Sequence, residues 1–264
     1  RRVLFRSNLF PMFLGCVAGV KVRISESISK GDKNEKKTLI KYILRPFSHW
    51  FTNCYMANSI DCGIWQFGKK TYDRGKVNIF KTVIDANANA FNAKLREDTR
   101  KEFGWENKIV YGFIGRYVPQ KNPLFLIDIF NEIAKKQENA ILVMIGFGEL
   151  ENEMHDRIES YGVTDKVIDL GRRDDIKQFY NAFDAFLLPS LYEGMPVVGI
   201  EAQCSGLPIF FSKNITEETT ASELAYYIGL EETPNIWANK IVKVVNGHIH
   251  KRRSYVAEVI KNGF

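Results

Sequence analysis

Residues Phe186 to Phe211 read FLLPSLYEGMPVVGIEAQCSGLPIFF. The stretch holds a short apolar run, a polar loop with Glu193 and Gly194, a helix opened by Pro196 and closed by Gly206, and a second apolar run. Proline suits a first helical turn, where its missing N–H would have no partner anyway, and glycine tolerates the left-handed conformation just past a helix end. The order is therefore strand, loop, helix, strand. Glu201 is the residue in it that needs an explanation, because it sits among Val197, Val198, Ile200 and Ala202 on a helix that reads as mostly buried. A carboxylate in such a place requires partners to offset its desolvation.

The same alternation extends upstream. Strands are predicted over 109–114 (IVYGFI), 141–145 (ILVMI), 167–170 (VIDL), 186–188 and 209–211, with helices over 123–137, 149–161, 174–183 and 196–205 between them. Strands alternating with helices of about ten to fifteen residues imply βαβ units and a doubly wound parallel sheet, an α/β fold of Rossmann type. Downstream, Trp237–Val245 and Arg252–Ile260 read as helical. Nearer the N-terminus, Val20–Ser25 (VKVRIS), Cys54–Asn58 (CYMAN) and Val77–Phe80 (VNIF) read as strands and Ile64–Phe67 as a short helix. Leu39, Ile40, Ile43, Leu44, Phe47, Trp50 and Phe51 recur at helical spacing among Lys37, Lys41 and Arg45. Such a helix either lies on an anionic membrane or packs on its own domain, with Pro46 interrupting the stripe. Asp85–Lys94 (DANANAFNAK) has no clear period and reads as a linker, dividing the chain into residues 1–84 and 85–264.

Composition narrows the classes. At 264 residues and 45% apolar content the chain can bury a full core in one or two domains. Lys and Arg number 37 against 31 Asp and Glu, a mild excess that suits an anionic small substrate or a membrane surface better than nucleic acid. Cys16, Cys54, Cys62 and Cys204 form no CxxC pair, which favours free thiols in a reducing compartment. The apolar run Leu9–Val20 is short of the roughly 18 residues that a transmembrane helix needs, and Pro11 interrupts it. The start RRVLFRS lacks an initiating Met and a cleavage site, so a truncated frame or appended residues are expected there.

In a doubly wound sheet, ligands bind beyond the carboxyl ends of the strands. The first loop there is Gly115-Arg116-Tyr117-Val118-Pro119-Gln120-Lys121-Asn122, with Asn122 the expected N-cap of the next helix. Arg116 and Lys121 between a strand end and a helix N-terminus would make a diphosphate site, against the alternative of two solvated cations. The second loop, Gly146-Phe147-Gly148-Glu149, lacks the third glycine of a dinucleotide fingerprint. It reads either as a close backbone approach to a ligand or as an ordinary tight turn. The third loop carries Glu193, with Glu201 eight residues on. Two carboxylates from one loop and helix suit the binding of vicinal hydroxyls better than hydrolysis, which needs opposed carboxylates. The competing readings are an exposed loop charge for Glu193 and a buried salt bridge for Glu201.

The segments GRYVPQKN, IGFGELENEM, LGRRDDIKQFYNAFDAFLLPS and LYEGMPVVGIEAQCSGLPI resemble the donor-binding domain of retaining GT-B glycosyltransferases of family four, in particular bacterial enzymes of capsular or other surface polysaccharides. The resemblance is strong over about residues 77–230, and the family's E-x7-E pair falls on Glu193 and Glu201. It implies a GT-B fold, with residues 85–264 as the nucleotide-sugar domain and residues 1–84 as the second half of an N-terminal, acceptor-side Rossmann-like domain. Truncation at the N-terminus, and the loss of a last helix at the C-terminus, are implied too. By this resemblance Glu193 contacts the transferred sugar, Glu201 the ribose, and Arg116 and Lys121 the diphosphate. Gly171 and Arg172 meet the base. Gly194, Met195 and Pro196 bring helix N–H groups to phosphate and sugar, and Gly115, Gly146, Gly148 and Tyr192 complete the donor set.

The implied reaction moves a hexose from a nucleotide diphosphate sugar to a saccharide or lipid-linked acceptor with retention. No cofactor and no metal are implied, and the chain contains no DxD triplet. Preorganised positive charge would stabilise the departing diphosphate. The expected setting is cytoplasmic, with peripheral association at the inner face of a bacterial membrane. A sugar-nucleotide epimerase of the same architecture and a non-catalytic nucleotide-sugar binding module remain the alternatives. His49, His155, His248 and His250 are scattered and read as surface or core residues.

Overall fold

The computed structural model describes residues 9–29, 50–248 and 251–264. Of the stripe expected over 39–51, only Trp50 and Phe51 fall within them; His49 and His250 lie outside. The chain divides into two compact units. The first runs to Thr82 and takes in Tyr192–Met195; the second comprises Val83–Leu191 and Pro196–Phe264.

In the first unit, helix α1 (Leu9–Val17) precedes strands β1 (Ile24–Ser27), β2 (Cys54–Ala57) and β3 (Val77–Ile79). These pair in parallel in the order β1-β2-β3, and α2 (Ile60–Phe67) and α3 (Lys69–Asp73) lie in the β2–β3 connection. Ala57, Cys62, Phe67 and Val77 form its core. Two expectations are corrected here. The strand foreseen over Val20–Ser25 starts only at Ile24, because the Asn53 side chain takes the Lys21 carbonyl and the Arg23 N–H that a strand partner would need. The helix foreseen over Ile64–Phe67 begins a turn earlier, because the Ser59 side chain accepts from the Cys62 N–H and caps it.

The second unit is a six-stranded parallel sheet of β4 (Ile109–Ile114), β5 (Ala140–Ile145), β6 (Val167–Asp169), β7 (Ala185–Leu188), β8 (Ile209–Ser212) and β9 (Ala225–Ile228). Its order is β6-β5-β4-β7-β8-β9. Helices α4 (Ala93–Glu102), α5 (Pro123–Ala134), α6 (Glu151–Ser160), α7 (Ile176–Ala182), α8 (Val197–Cys204), α9 (Pro234–His248) and α10 (Val256–Lys261) accompany it. Every residue of β5, β7 and β8 is buried, as strands covered on both faces require. Among the described residues, no helix is long and apolar enough to cross a membrane.

The linker expected over Asp85–Lys94 is more structured than that: it holds a turn of 3-10 helix at Asn87–Asn89 and the start of α4. Asn92 caps α4 by accepting from the Leu95 N–H at 3.0 Å. No apolar stripe announces α4, because its buried face is ionic. Arg96 and Arg100 both reach Asp184, whose side chain is fully buried just before β7. Asp184 also accepts from the Val110 N–H of β4 at 2.8 Å. The same guanidinium groups close the C-terminal end of α7: Arg96 donates to the carbonyls of Asn181, Ala182 and Phe183, and Arg100 to Ala182. Arg252 adds bonds to the carbonyls of Phe183, Tyr180 and Ser205. Cations gathered at a helix C-terminus meet both its free carbonyls and its negative dipole end.

Replacing one member of a buried pair strands the other charge. Asp184→Asn is therefore expected to lower stability by about 3–5 kcal/mol. Urea unfolding followed by tryptophan fluorescence would show a lower midpoint at an unchanged slope, and an unchanged midpoint would show that the arginines do not need this carboxylate.

Candidate functional site

The strand order sets the site. From the central β4 the chain winds outward through β5 and β6, then crosses back to β7 and winds the other way. The direction reverses between β4 and β7, and in open α/β sheets the crevice for ligands lies there, beyond the carboxyl ends of the strands. The loops that leave β4 and β7 carry Gly115–Asn122 and Pro189–Pro196. Two hydrogen bonds join them: the Leu191 N–H donates to the Gln120 carbonyl at 2.8 Å, and the Asn122 side-chain amide donates to the Pro189 carbonyl at 3.2 Å.

Asn122 does not cap α5 with its side chain as expected. Its backbone is left-handed (φ 55°, ψ 47°), a conformation that Asn tolerates, and this directs the side chain to the β7 loop instead. The N-terminus of α5 thus has no side-chain cap. Arg116 is exposed and makes no ion pair or side-chain hydrogen bond among the described residues. Lys121 is half-buried, and its side chain lies against Gly115, where a Cβ would be 3.7 Å from the Lys121 Cε.

The glycines after β5 serve a close approach of backbone to backbone. A Cβ on Gly146 would sit 1.8 Å from the Gly115 carbonyl oxygen, and one on Gly148 would sit 2.3 Å from that of Tyr117. Their N–H groups are already engaged, Gly146 with the Gly171 carbonyl and Gly148 with the Glu151 carboxylate. These contacts make the loop a tight turn within the fold. The Tyr117 hydroxyl and the Gly171 N–H both donate to one oxygen of Asp169, each at 2.8 Å. Burial, reinforced by Asp169, pushes the Tyr117 hydroxyl well above the usual range of tyrosine and keeps it a donor. Gly171 is left-handed (φ 60°) with open space where a Cβ would be. Arg172 beside it is exposed and has no polar partner among the described residues.

Glu193 is only 6% exposed, which overturns the solvated loop charge as its reading. It lies with Tyr192, Gly194 and Met195 in the segment that belongs to the first unit. There Gly194 has no room for a side chain, since a Cβ would fall 2.1 Å from the Ile28 carbonyl oxygen. In the second unit, buried Pro196 precedes α8, whose N-terminus has no side-chain cap. Glu201 is half-buried and is not in a salt bridge among the described residues. The buried Tyr180 hydroxyl donates to its Oε2 at 2.8 Å, and Oε1 has no protein partner among those residues. Burial, with Glu201 adding to it, raises the hydroxyl of Tyr180 well above its ordinary value and pushes the Cys204 thiol up to about 12. Tyr180 was not foreseen from sequence; only its helical position before β7 hinted at it. Neither was Ser190, whose fully buried hydroxyl at the end of β7 has no partner among the described residues. Among those residues no three His, Cys, Asp or Glu side chains are grouped to hold a metal.

Residues 96–259 match the family described as glycosyl transferases group 1, which is more than half of the chain. The chain belongs to this family. It is 28% identical over 249 residues to EpsF of Bacillus subtilis strain 168, covering 92% of the chain and 65% of the length of EpsF. It is 37% identical over 109 residues to the Escherichia coli UDP-Gal:α-D-GlcNAc-diphosphoundecaprenol α-1,3-galactosyltransferase, covering 40% of the chain and 28% of that enzyme. Among solved structures, Anabaena HepE in complex with UDP and glucose superposes with a TM-score of 0.75 at 18% identity, over 93% of this chain and 67% of HepE. That likeness confirms the α/β fold with parallel sheets as the GT-B one.

Because Gly146 leaves no space for a methyl group, Gly146→Ala is expected to cost about 1–3 kcal/mol, as overpacking does. A thermal midpoint equal to that of the parent chain would refute the backbone contact. Tyr180→Phe removes one hydrogen bond to a charged group, a loss of about 1.5–3 kcal/mol that the same melt would register.

Proposed function

We propose that the chain is the nucleotide-sugar binding part of a retaining glycosyltransferase of family four, with residues 1–84 from its acceptor-side domain. The enzyme moves a hexose from a nucleotide diphosphate sugar to a saccharide or lipid-linked acceptor in surface polysaccharide synthesis. The observation that carries this reading is the pair Arg116 and Lys121, presented on one loop at the switch point of the sheet beside an uncapped helix N-terminus. Membership of the group 1 family supports it. So does the E. coli relative, whose name specifies a UDP-sugar donor and a diphosphoundecaprenol acceptor. The setting that suits such an acceptor is the cytoplasmic face of a membrane, reached by peripheral association.

In the reaction the bond between the anomeric carbon and the terminal phosphate oxygen breaks, an acceptor hydroxyl forms the new bond on the same face, and its proton passes to the departing phosphate oxygen. Negative charge grows on the departing diphosphate. Arg116 and Lys121 meet it with positive charge already in place, helped by the N–H groups at the start of α8, and need no metal for this. Glu201 offers its free Oε1 to the ribose while Tyr180 fixes Oε2. Glu193 takes a hydroxyl of the transferred sugar, and Gly171 and Arg172 face the base. Gly146 and Gly148 shape the loop rather than donate to the ligand, since their N–H groups are used within the fold. A sugar-nucleotide epimerase would share these features but act without an acceptor.

Calorimetric titration with UDP, GDP and ADP tests the binding half. Arg116→Ala and Lys121→Ala should each weaken the preferred nucleotide by about tenfold or more, as loss of a charge-assisted bond does. Affinity unchanged in both variants refutes the diphosphate assignment. Glu201→Gln should reduce nucleotide affinity more than it reduces stability, and the reverse pattern would mark Glu201 as a structural carboxylate. Incubating a nucleotide sugar alone separates the chemistries, because an epimerised sugar without acceptor would replace the transferase reading.

A further inference from the structure

The other end of the second unit carries a groove that the transferase reading does not use. It has a volume of about 580 Å³, within the range of about 300–1,000 Å³ usual for ligand sites. Its walls are the last two strands and the C-terminal half of α9, with Phe210, Tyr226, Lys240, Lys243, Gly247 and His248 among its lining. Helix α9 follows β9 and returns alongside the sheet, so its C-terminal half lies by the strands' N-terminal ends. The contact of His248 with the carbonyl of Gly206, just ahead of β8, fixes that position. The loops with Arg116 and Gly146 leave the opposite, C-terminal ends.

Four observations converge there. Tyr226 stands on the edge strand β9, stacked on Phe210 at 5.2 Å and half exposed in the lining of the groove. Its hydroxyl bonds to no described residue. Lys243 has no ion pair among the described residues, and Lys240 reaches Glu232 only at 3.8 Å. Gly247 sits in the last turn of α9 with nothing within 4 Å of the place a Cβ would occupy. A glycine inside a helix costs about 1 kcal/mol relative to alanine, and here no packing demands it. Its effect is to keep the floor of the groove open.

A second groove of about 440 Å³ adjoins the first through Tyr226 and His248 and brings in Lys251, which also lacks an ion pair among the described residues. Its other charges are used internally: Glu223 accepts from the Tyr255 hydroxyl, and Arg253 pairs with Glu258. The result is an extended track with an aromatic face and lysines along it.

We propose that this track is a secondary binding site for an acidic saccharide chain, with a sugar face on Tyr226 and carboxylates or phosphates at Lys240, Lys243 and Lys251. A concave, elongated track suits a chain better than the flat surface of a membrane. The choice of a saccharide over an acidic peptide rests on the transferase reading.

Calorimetry on the full chain with trigalacturonate, with maltotriose as the neutral control and UDP in parallel, tests it. Trigalacturonate is expected to bind at least about tenfold more tightly than maltotriose. Lys243→Glu and Gly247→Phe should each remove that preference and leave UDP affinity as it was. Gly247→Ala, which favours the helix, controls for folding. Equal affinity for the two trisaccharides, or trigalacturonate binding indifferent to both variants, overturns the proposal. So does binding of phosphatidylglycerol vesicles that depends on Lys243 when trigalacturonate does not bind, which would assign the face to a membrane. Failure of UDP, GDP and ADP alike to bind would count against the transferase reading, independently of the result for the groove.

Discussion

One buried carboxylate holds the second unit together. Asp184 ends the α7 connection, pairs with two arginines of α4 and accepts from the backbone of the central strand β4. Without it, a helix end, a strand start and three guanidinium groups would meet in a largely buried space. Charge in that position is costly by itself, and the fold offsets the cost by making every partner a structural element rather than a surface side chain. Arg252, from near the far end of the chain, shares the Phe183 carbonyl with Arg96 and adds that of Tyr180, so this late residue meets the first helix of the unit at one acceptor. This arrangement sits at the starts of β4 and β7, which leaves the other ends of the same two strands free to carry chemistry.

Helix α7 links the two ends. Its C-terminal carbonyls receive the arginines, while the hydroxyl of Tyr180 in its last turn reaches Glu201 of α8. A half-buried carboxylate on an apolar helix is therefore partly satisfied by the protein. The loops after β4, β5 and β6 are laced through Gly115, Gly146, Gly171 and Tyr117, so the exposed cations Arg116 and Arg172 stand on a stiff base. Preorganisation of that kind is what makes fixed charge effective toward a ligand.

The sequence exposed those features that follow from local pattern. Runs such as IVYGFI and ILVMI read as strands, and their alternation with helices carried the parallel sheet. Pro196 and Gly206 marked α8 correctly. Hidden were the elements whose logic is tertiary: α4 buries an ionic face rather than an apolar one, and β9 is a four-residue edge strand whose two tyrosines are half exposed. Residue type also misled where one side chain has several uses. Asn122 looked like a cap and serves as a left-handed turn residue tied to β7, and Asn53 displaced the start of β1 by taking the backbone groups ahead of it. The cations of the β4 loop were visible because chemistry and position coincide there. The partner of Glu201 was not, because Tyr180 lies twenty-one residues away and meets it only through the packing of α7 on α8.

The way Tyr180 holds Glu201 has a consequence for selectivity. With Oε2 filled by a hydroxyl whose proton burial retains, the remaining oxygen is an acceptor alone. On the proposed reading a ribose hydroxyl satisfies it and a phosphate in the same place does not, since that sets anion against anion. An acceptor-only position of this kind discriminates through the penalty on the wrong ligand rather than through added affinity for the right one. Hydroxyl would then be told from phosphate with the help of a phenol that touches neither.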